Sequence, residues 1–269
     1  MKTCSRVLLL GGLGNNFFQL ARAIELKKKD NVEILYIGNF YKYFYFFLGH
    51  TSHEKWLDME CLINSLGFKY RSINFFEFLT LVKIYLMKSI NFQTSFDQEL
   101  SKSKVKTLQV GYFQTEKHVK LDSIEEVAKK INNLIDVTKF KIKDILVVHV
   151  RGTDIGNENR IKKSYFDEIL SYCDKKNIEF SIITDDINFS KKLIKDVTKK
   201  IKIFSKNPRD DFMYFVSSKY ILLSNSTFSF WGGICSRLIN PEVKIFGTEN
   251  WKFTPFIDVD ILKDSLEEV

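Results

Sequence analysis

Proline is scarce in this chain, with three in 269 residues. No proline-, glycine- or serine-rich linker and no internal repeat breaks it up. Cysteine is sparse too. Cys4, Cys61, Cys173 and Cys235 stand far apart, with no Cys-x-x-Cys and no Cys/His spacing suited to zinc. That pattern speaks against a disulfide scaffold and a zinc module, and it fits free thiols in a reducing compartment. His50 and His53 lie three apart but lack a third ligand, so no metal site is assigned.

Long apolar runs are missing as well. No window reaches the roughly 18 residues that a membrane span needs. The first residues, "MKTCSRVLLLGGLGNN", have too short an apolar core and no small-residue cleavage site for a signal peptide. The most apolar patch, "FYKYFYFFLG" from Phe40 to Gly49, is too short to span and contains Lys42. It reads as a buried strand or short helix, or as a surface that rests on lipid.

The common cofactor signatures are incomplete. Gly12-x-Gly14 is followed by Phe17 where a dinucleotide site has its third glycine. The next strand, "EILYIGN", ends at Asn39 rather than an acid, and Gly-Lys-Ser/Thr is absent. Nicotinamide, flavin and P-loop nucleotide sites are therefore not expected.

What is present is a globular composition, 45% hydrophobic and 28% charged, on a chain long enough for two domains. The net charge is +8, with lysines in pairs and triples such as Lys27–Lys29, Lys162–Lys163 and Lys191–Lys192. A basic surface favours anionic partners: a nucleotide, a lipid diphosphate or an acidic membrane face. Nucleic acid is not expected, because no recognition motif and no aromatic-studded basic stripe occurs.

From about Lys143 onward, apolar strands alternate with helices of 3.6-residue spacing: "DILVVHV", "SYFDEILSYCDKK", "IEFSIIT", "INFSKKLIKDVTKK", "IKIF", "RDDFMYFVSSK", "YILLS", "TFSFWGGICSRLI" and "VKIFG". That order predicts an α/β fold with a parallel, doubly wound sheet. The N-terminal half begins the same way, with strand "RVLLL", helix "NNFFQLARAIELKKK" and strand "VEILYIG". Later come strand "TLQVGYFQ" and a helix from Ser123 to Ile135. The aromatic-rich stretch 41–106 shows no clear period. A boundary between Ile135 and Asp144 gives two domains, 1–140 and 141–269.

Polar clusters recur at the carboxyl ends of the C-terminal strands: "HVRGTD", "TDD", "SKNPRDD" and "SNSTFS". Open α/β sheets bind ligands at that edge. Ser226 and Thr227 open a helix whose unpaired N–H groups suit a phosphate, and the same residues suit plain N-capping. Arg151 offers a planar fork for phosphate, or pairs internally with Asp154. His149 shares its side of the strand with Arg151. Asp185 and Asp186 suit helix capping, or recognition of the paired donors of guanine.

Together "GGLGNNFFQLARA", "GYFQTEKH", "HVRGTD", "ITDD" and "NSTFSFWGG", in this order, resemble the bacterial α-1,2-fucosyltransferases of glycosyltransferase family 11. The resemblance implies a GT-B-like fold, two Rossmann-type domains with a cleft between them, the first on the acceptor side and the second holding GDP-fucose. It implies inverting, metal-independent transfer of fucose to a galactose-like hydroxyl of a free or lipid-linked oligosaccharide, as in O-antigen synthesis, the alternatives being a same-fold transferase of another GDP-sugar or a nucleotide-binding pseudoenzyme. It places the work in the cytoplasm, with peripheral contact at the inner membrane face. By that resemblance Arg151 meets the diphosphate. His149, Asp185, Asp186, Asn225, Ser226, Thr227 and Phe228 line the nucleotide. Gly12, Gly14, Asn15, Asn16 and Gln19 face the cleft, and Arg151, Asp154 and Asn15 are the catalytic candidates. Two positions depart from the pattern: Gly152 stands where members carry a second arginine, and Asn16 where glutamine is common.

Overall fold

A computed structural model describes residues 4–36, 58–86, 97–103, 106–136, 141–153, 156, 160–195, 201–204, 208–248, 251–253 and 255–259. The Phe40–Gly49 patch, His50, His53 and Asp154 lie outside these residues. The chain divides into two compact units, Met1–Leu134 and Ile135–Val269.

The N-terminal unit is built on strands β1 (Cys4–Leu9), β2 (Asn31–Tyr36), β3 (Lys69–Ser72), β4 (Asp97–Ser103) and β5 (Lys106–Gly111). Their order is β3-β2-β1-β5-β4. Four run parallel, and β4 is antiparallel to β5 at the edge. The helices are α1 (Leu13–Lys27), α2 (Met59–Ser65), α3 (Phe75–Leu86) and α4 (Leu121–Ile135). Apolar on both faces, β1 takes the middle of the sheet, with Val7 and Leu8 fully buried. The expected face of α1 is buried through Phe17, Leu20, Ala21 and Ile24, and Phe18 and Ala23 are buried beside it. The stretch without a clear period supplies α2, β3, α3 and the antiparallel β4. Asp58 starts α2 by accepting a hydrogen bond from the Cys61 N–H at 3.0 Å.

The C-terminal unit has strands β6 (Lys143–Val150), β7 (Glu179–Thr184), β8 (Lys202–Phe204), β9 (Ser218–Leu223) and β10 (Lys244–Gly247). They are parallel throughout, in the order β10-β9-β6-β7-β8. Helices α5 (Lys163–Lys176), α6 (Ile187–Leu193), α7 (Pro208–Val216) and α8 (Thr227–Ile239) connect them. The core forms where α5 lays Tyr165, Phe166, Ile169 and Cys173 on Leu146, Val148, Val150 and Ile182. The α/β reading with a doubly wound sheet holds. Two helices are shorter than expected: α6 ends at Leu193, not Lys200, and α7 stops at Val216, not Lys219. Ser217 turns its hydroxyl back to the Met213 carbonyl at 2.7 Å, and Ser218 already pairs in β9. No helix among the described residues is long and apolar enough to cross a membrane.

Candidate functional site

In the C-terminal sheet β6 lies between β7 and β9, and sequence order reverses there. Such a switch point opens a crevice beyond the carboxyl ends of the strands. Arg151 follows β6, and Ser224, Asn225 and Ser226 follow β9. A hydrogen bond ties the two ends, with His149 Nδ1 2.5 Å from Ser224 Oγ. The ring of His149 is 3% exposed and sits beside Phe215 and Phe228, at 5.7 and 5.9 Å between centroids. Burial, with the nearby Arg151 charge, pushes its pKa down to about 3, against a small opposing pull from Asp185. A neutral imidazole therefore braces the site from beneath.

Among the described residues, Arg151 has Asp185 beside it, with Nη1 3.1 Å from Oδ2. The parallel register explains this. Val150 pairs with Thr184, so the next residue on each strand meets its counterpart. Asp185 Oδ1 also accepts from the Gly152 N–H, and Oδ2 from the Thr153 hydroxyl, both at 2.7 Å. Burial works against the charged form of Asp185. The Arg151 guanidinium, the Thr153 hydroxyl and the Gly152 N–H outweigh it and hold the carboxyl below its usual range. Both oxygens of Asp185 thus hold the "HVRGT" loop, rather than standing ready for a base edge.

Asp186 caps α6. Its Oδ1 accepts from the Phe189 N–H at 2.9 Å, while its own N–H goes to Thr184 Oγ1. No described residue partners Oδ2. The Asp186 side chain also explains Gly152, because a Cβ there would fall 2.5 Å from Asp186 Cβ. Arg160 approaches from the other side. Its Nη2 donates to the Gly152 carbonyl, and its guanidinium lies 5.1 Å from the centre of the Phe189 ring.

The hydroxyls of "SNSTFS" divide between two tasks. Ser226 caps α8, accepting from the Phe228 N–H at 3.3 Å. Ser229 is fully buried and donates to the carbonyls of Ser224 and Ser226. Asn225 Oδ1 receives the Lys252 N–H at 3.0 Å, which fixes the 251–253 segment beside the helix start. Phe228 packs its ring on Phe212 and Phe215. Phe230, Trp231, Gly232 and Gly233 face the core, and the glycines let α8 close onto Phe215 and Leu223. Asn225, Thr227 and Phe228 remain partly exposed at the helix mouth.

The N-terminal sheet repeats the arrangement, with β1 between β2 and β5 and a glycine loop beyond its end. Gly11 has φ +77°, and a Cβ there would meet the Asn15 side-chain nitrogen at 2.7 Å. Gly12 is the N-cap of α1, and its carbonyl takes the N–H groups of Asn15 and Asn16. Gly14 is buried in the first turn. Asn16 and Gln19, expected to face the cleft, are fully buried. Gln19 takes the Leu10 N–H at 2.9 Å and the Asn16 side-chain N–H at 3.1 Å. It donates to the carbonyls of Leu10 and Gly111. Asn15 keeps a half-exposed side chain, held by Gln114 Nε2 at 3.0 Å.

The sequence reading assigned no role to Thr153, Arg160, Gln114 or Ser224. Three of these stood inside the quoted motifs, and only Arg160 carried no signal. Among the described residues no three His, Cys, Asp or Glu side chains gather where a cation would sit.

The profile of Glycosyl transferase family 11 matches residues 84–258, well over half of the chain. An alpha-1,2-colitosyltransferase from Escherichia coli is 23% identical over 251 residues, covering 83% of this chain and 84% of that protein. Two solved structures are alike more loosely. The fucosyltransferase NodZ from Bradyrhizobium gives a TM-score of 0.48 at 12% identity, over 93% of this chain and 96% of that one. A family 9 glycosyl transferase from Veillonella parvula gives 0.49 at 10%, over 99% and 88%. With the family's motifs seated at the strand ends of two α/β units, the chain belongs to glycosyl transferase family 11 and is a glycosyltransferase.

Proposed function

We propose that the chain transfers fucose from GDP-fucose to a galactose-like hydroxyl, with inversion, forming an α-1,2 linkage. The observation that carries this is that Arg151 and the start of α8 follow adjacent parallel strands, β6 and β9, at the switch point of the sheet. A diphosphate there meets a guanidinium fork on one side and the positive end of the α8 helix dipole on the other. Ser226 and Thr227 flank it. The guanine edge is assigned to Asp186, whose Oδ2 has no partner among the described residues.

In the reaction the acceptor oxygen bonds to the anomeric carbon as the bond from that carbon to the β-phosphate oxygen breaks. Charge grows on the leaving diphosphate, and Arg151 with the α8 N-terminus stabilises it electrostatically. Asn15 orients the acceptor hydroxyl. Asp154, the acid three residues past Arg151, is assigned to receive its proton. Metal independence is supported by the acids themselves, since Asp185 is fully engaged and Asp186 caps a helix. The excess of positive charge supports a lipid-linked acceptor at the inner face of the membrane, met from the cytoplasm.

The test is incubation with GDP-fucose and a panel of galactose-terminated glycans in excess EDTA, reading GDP release and product linkage. Acceptor-dependent release and an α-1,2 product are expected. No release with any acceptor, or activity that appears only with Mn²⁺ or Mg²⁺, rejects the reading. The name of the E. coli relative favours a second donor, so GDP-colitose belongs in the same assay. A higher kcat/KM with it transfers the assignment.

A further inference from the structure

Arg151 does not bring an uncompensated charge to the donor edge, because Asp185 lies 3.1 Å away and has both oxygens committed to the same loop. A dianionic leaving group gains more from a cation whose charge is not already offset. Arg160 is such a cation. No carboxylate among the described residues pairs with it. Its contacts are the Gly152 carbonyl and the face of Phe189. Its Nε is buried and makes no hydrogen bond. A carbonyl and a ring face fix where a guanidinium sits, but neither neutralises it. They hold it at residue 152, directly after the strand end that carries Arg151.

We propose that Arg160 is a diphosphate-binding residue of the donor site, adding at the end of β6 to the positive charge that Arg151, paired with Asp185, offers only in part. This rests on the donor reading above. Gly152 makes the placement feasible. A side chain there would collide with Asp186, while its bare backbone leaves a carbonyl open for Arg160 to grip. Phe189, the residue whose N–H donates to the capping carboxylate of Asp186, supplies the stacking face, so α6 and the loop after β6 hold Arg160 jointly.

Ligand-observed NMR titration of the full chain with GDP and with guanosine tests this, using wild type, Arg160→Gln and Arg160→Lys, with melting temperatures on the same samples. The expected result is a GDP affinity roughly tenfold or more weaker in Arg160→Gln, with guanosine unchanged. Arg160→Lys, which keeps the charge but loses the fork, should fall between. Equal GDP affinity in wild type and Arg160→Gln overturns the proposal, and so does an equal loss for GDP and guanosine. If Arg160→Gln does not fold, Arg160→Lys decides by the same comparison. Wild type that binds guanosine but not GDP removes the donor reading, and the role of Arg160 with it. Wild-type GDP binding with an unaffected Arg160→Gln removes only the latter.

Discussion

Arg151 is pulled toward two roles, one in the fold through Asp185 and one in the chemistry through its guanidinium fork, and substitution separates them. Losing one preorganised donor to developing charge costs about 10²–10³ in kcat. Arg151→Lys and Arg151→Ala are expected to lose turnover on that scale while staying folded. If the pair with Asp185 were only structural, Arg151→Ala and Asp185→Ala would each lower the melting temperature, and the folded remainder would turn over normally. Beneath this pair, His149 gives the C-terminal unit a pH signature. Its folded pKa of about 3 lies below the ordinary 6.5, so the unfolded chain binds a proton that the folded one refuses. The contribution is complete above pH 6.5 and is lost as pH falls toward 3, at up to ~1.4 kcal/mol per pH unit. Urea midpoints between pH 7 and 4 should drop more steeply in wild type than in His149→Asn. Equal slopes would count against a buried neutral ring.

Among the elements, α8 was legible to its last residue. A hydroxyl cap, an apolar face and the break at Asn240 all agree on Thr227–Ile239. The stretch 41–106 was not, because its aromatic residues follow neither a helical nor a strand period. The carboxylate partner of Arg151 was hidden for another reason. Asp185 arrives through the β6–β7 register, which no local pattern encodes. One partner of Gln19 was hidden the same way, as Gly111 lies 92 residues on. The Gln19 amide joins the ends of β1 and β5 below the glycine loop. Gln19→Leu is expected to destabilise the N-terminal unit by about 1–3 kcal/mol for each buried backbone group left unpaired at Leu10 and Gly111. Chemical denaturation reads this directly, with GDP affinity unchanged. Unaltered stability would mean that the loop holds itself.

Across the whole molecule the two units share a plan. In each, the first strand becomes the centre of the sheet, flanked by the next strand in sequence and by a later one. The loops after β1 and β6 therefore open at equivalent positions, and those are the loops that carry "GGLGNN" and "HVRGT". The sequence showed this coarsely, through polar clusters at successive strand ends, while the antiparallel β4 was not foreseen. The central claim is that the donor diphosphate sits at the carboxyl edge of the C-terminal sheet. A crystal structure of the full chain with GDP tests it most directly. The account predicts the diphosphate within hydrogen-bonding distance of the Arg151 guanidinium and the backbone N–H groups that open α8 at Thr227. Diphosphate density elsewhere on the chain, with Arg151 still closed on Asp185 and the mouth of α8 empty, would contradict it.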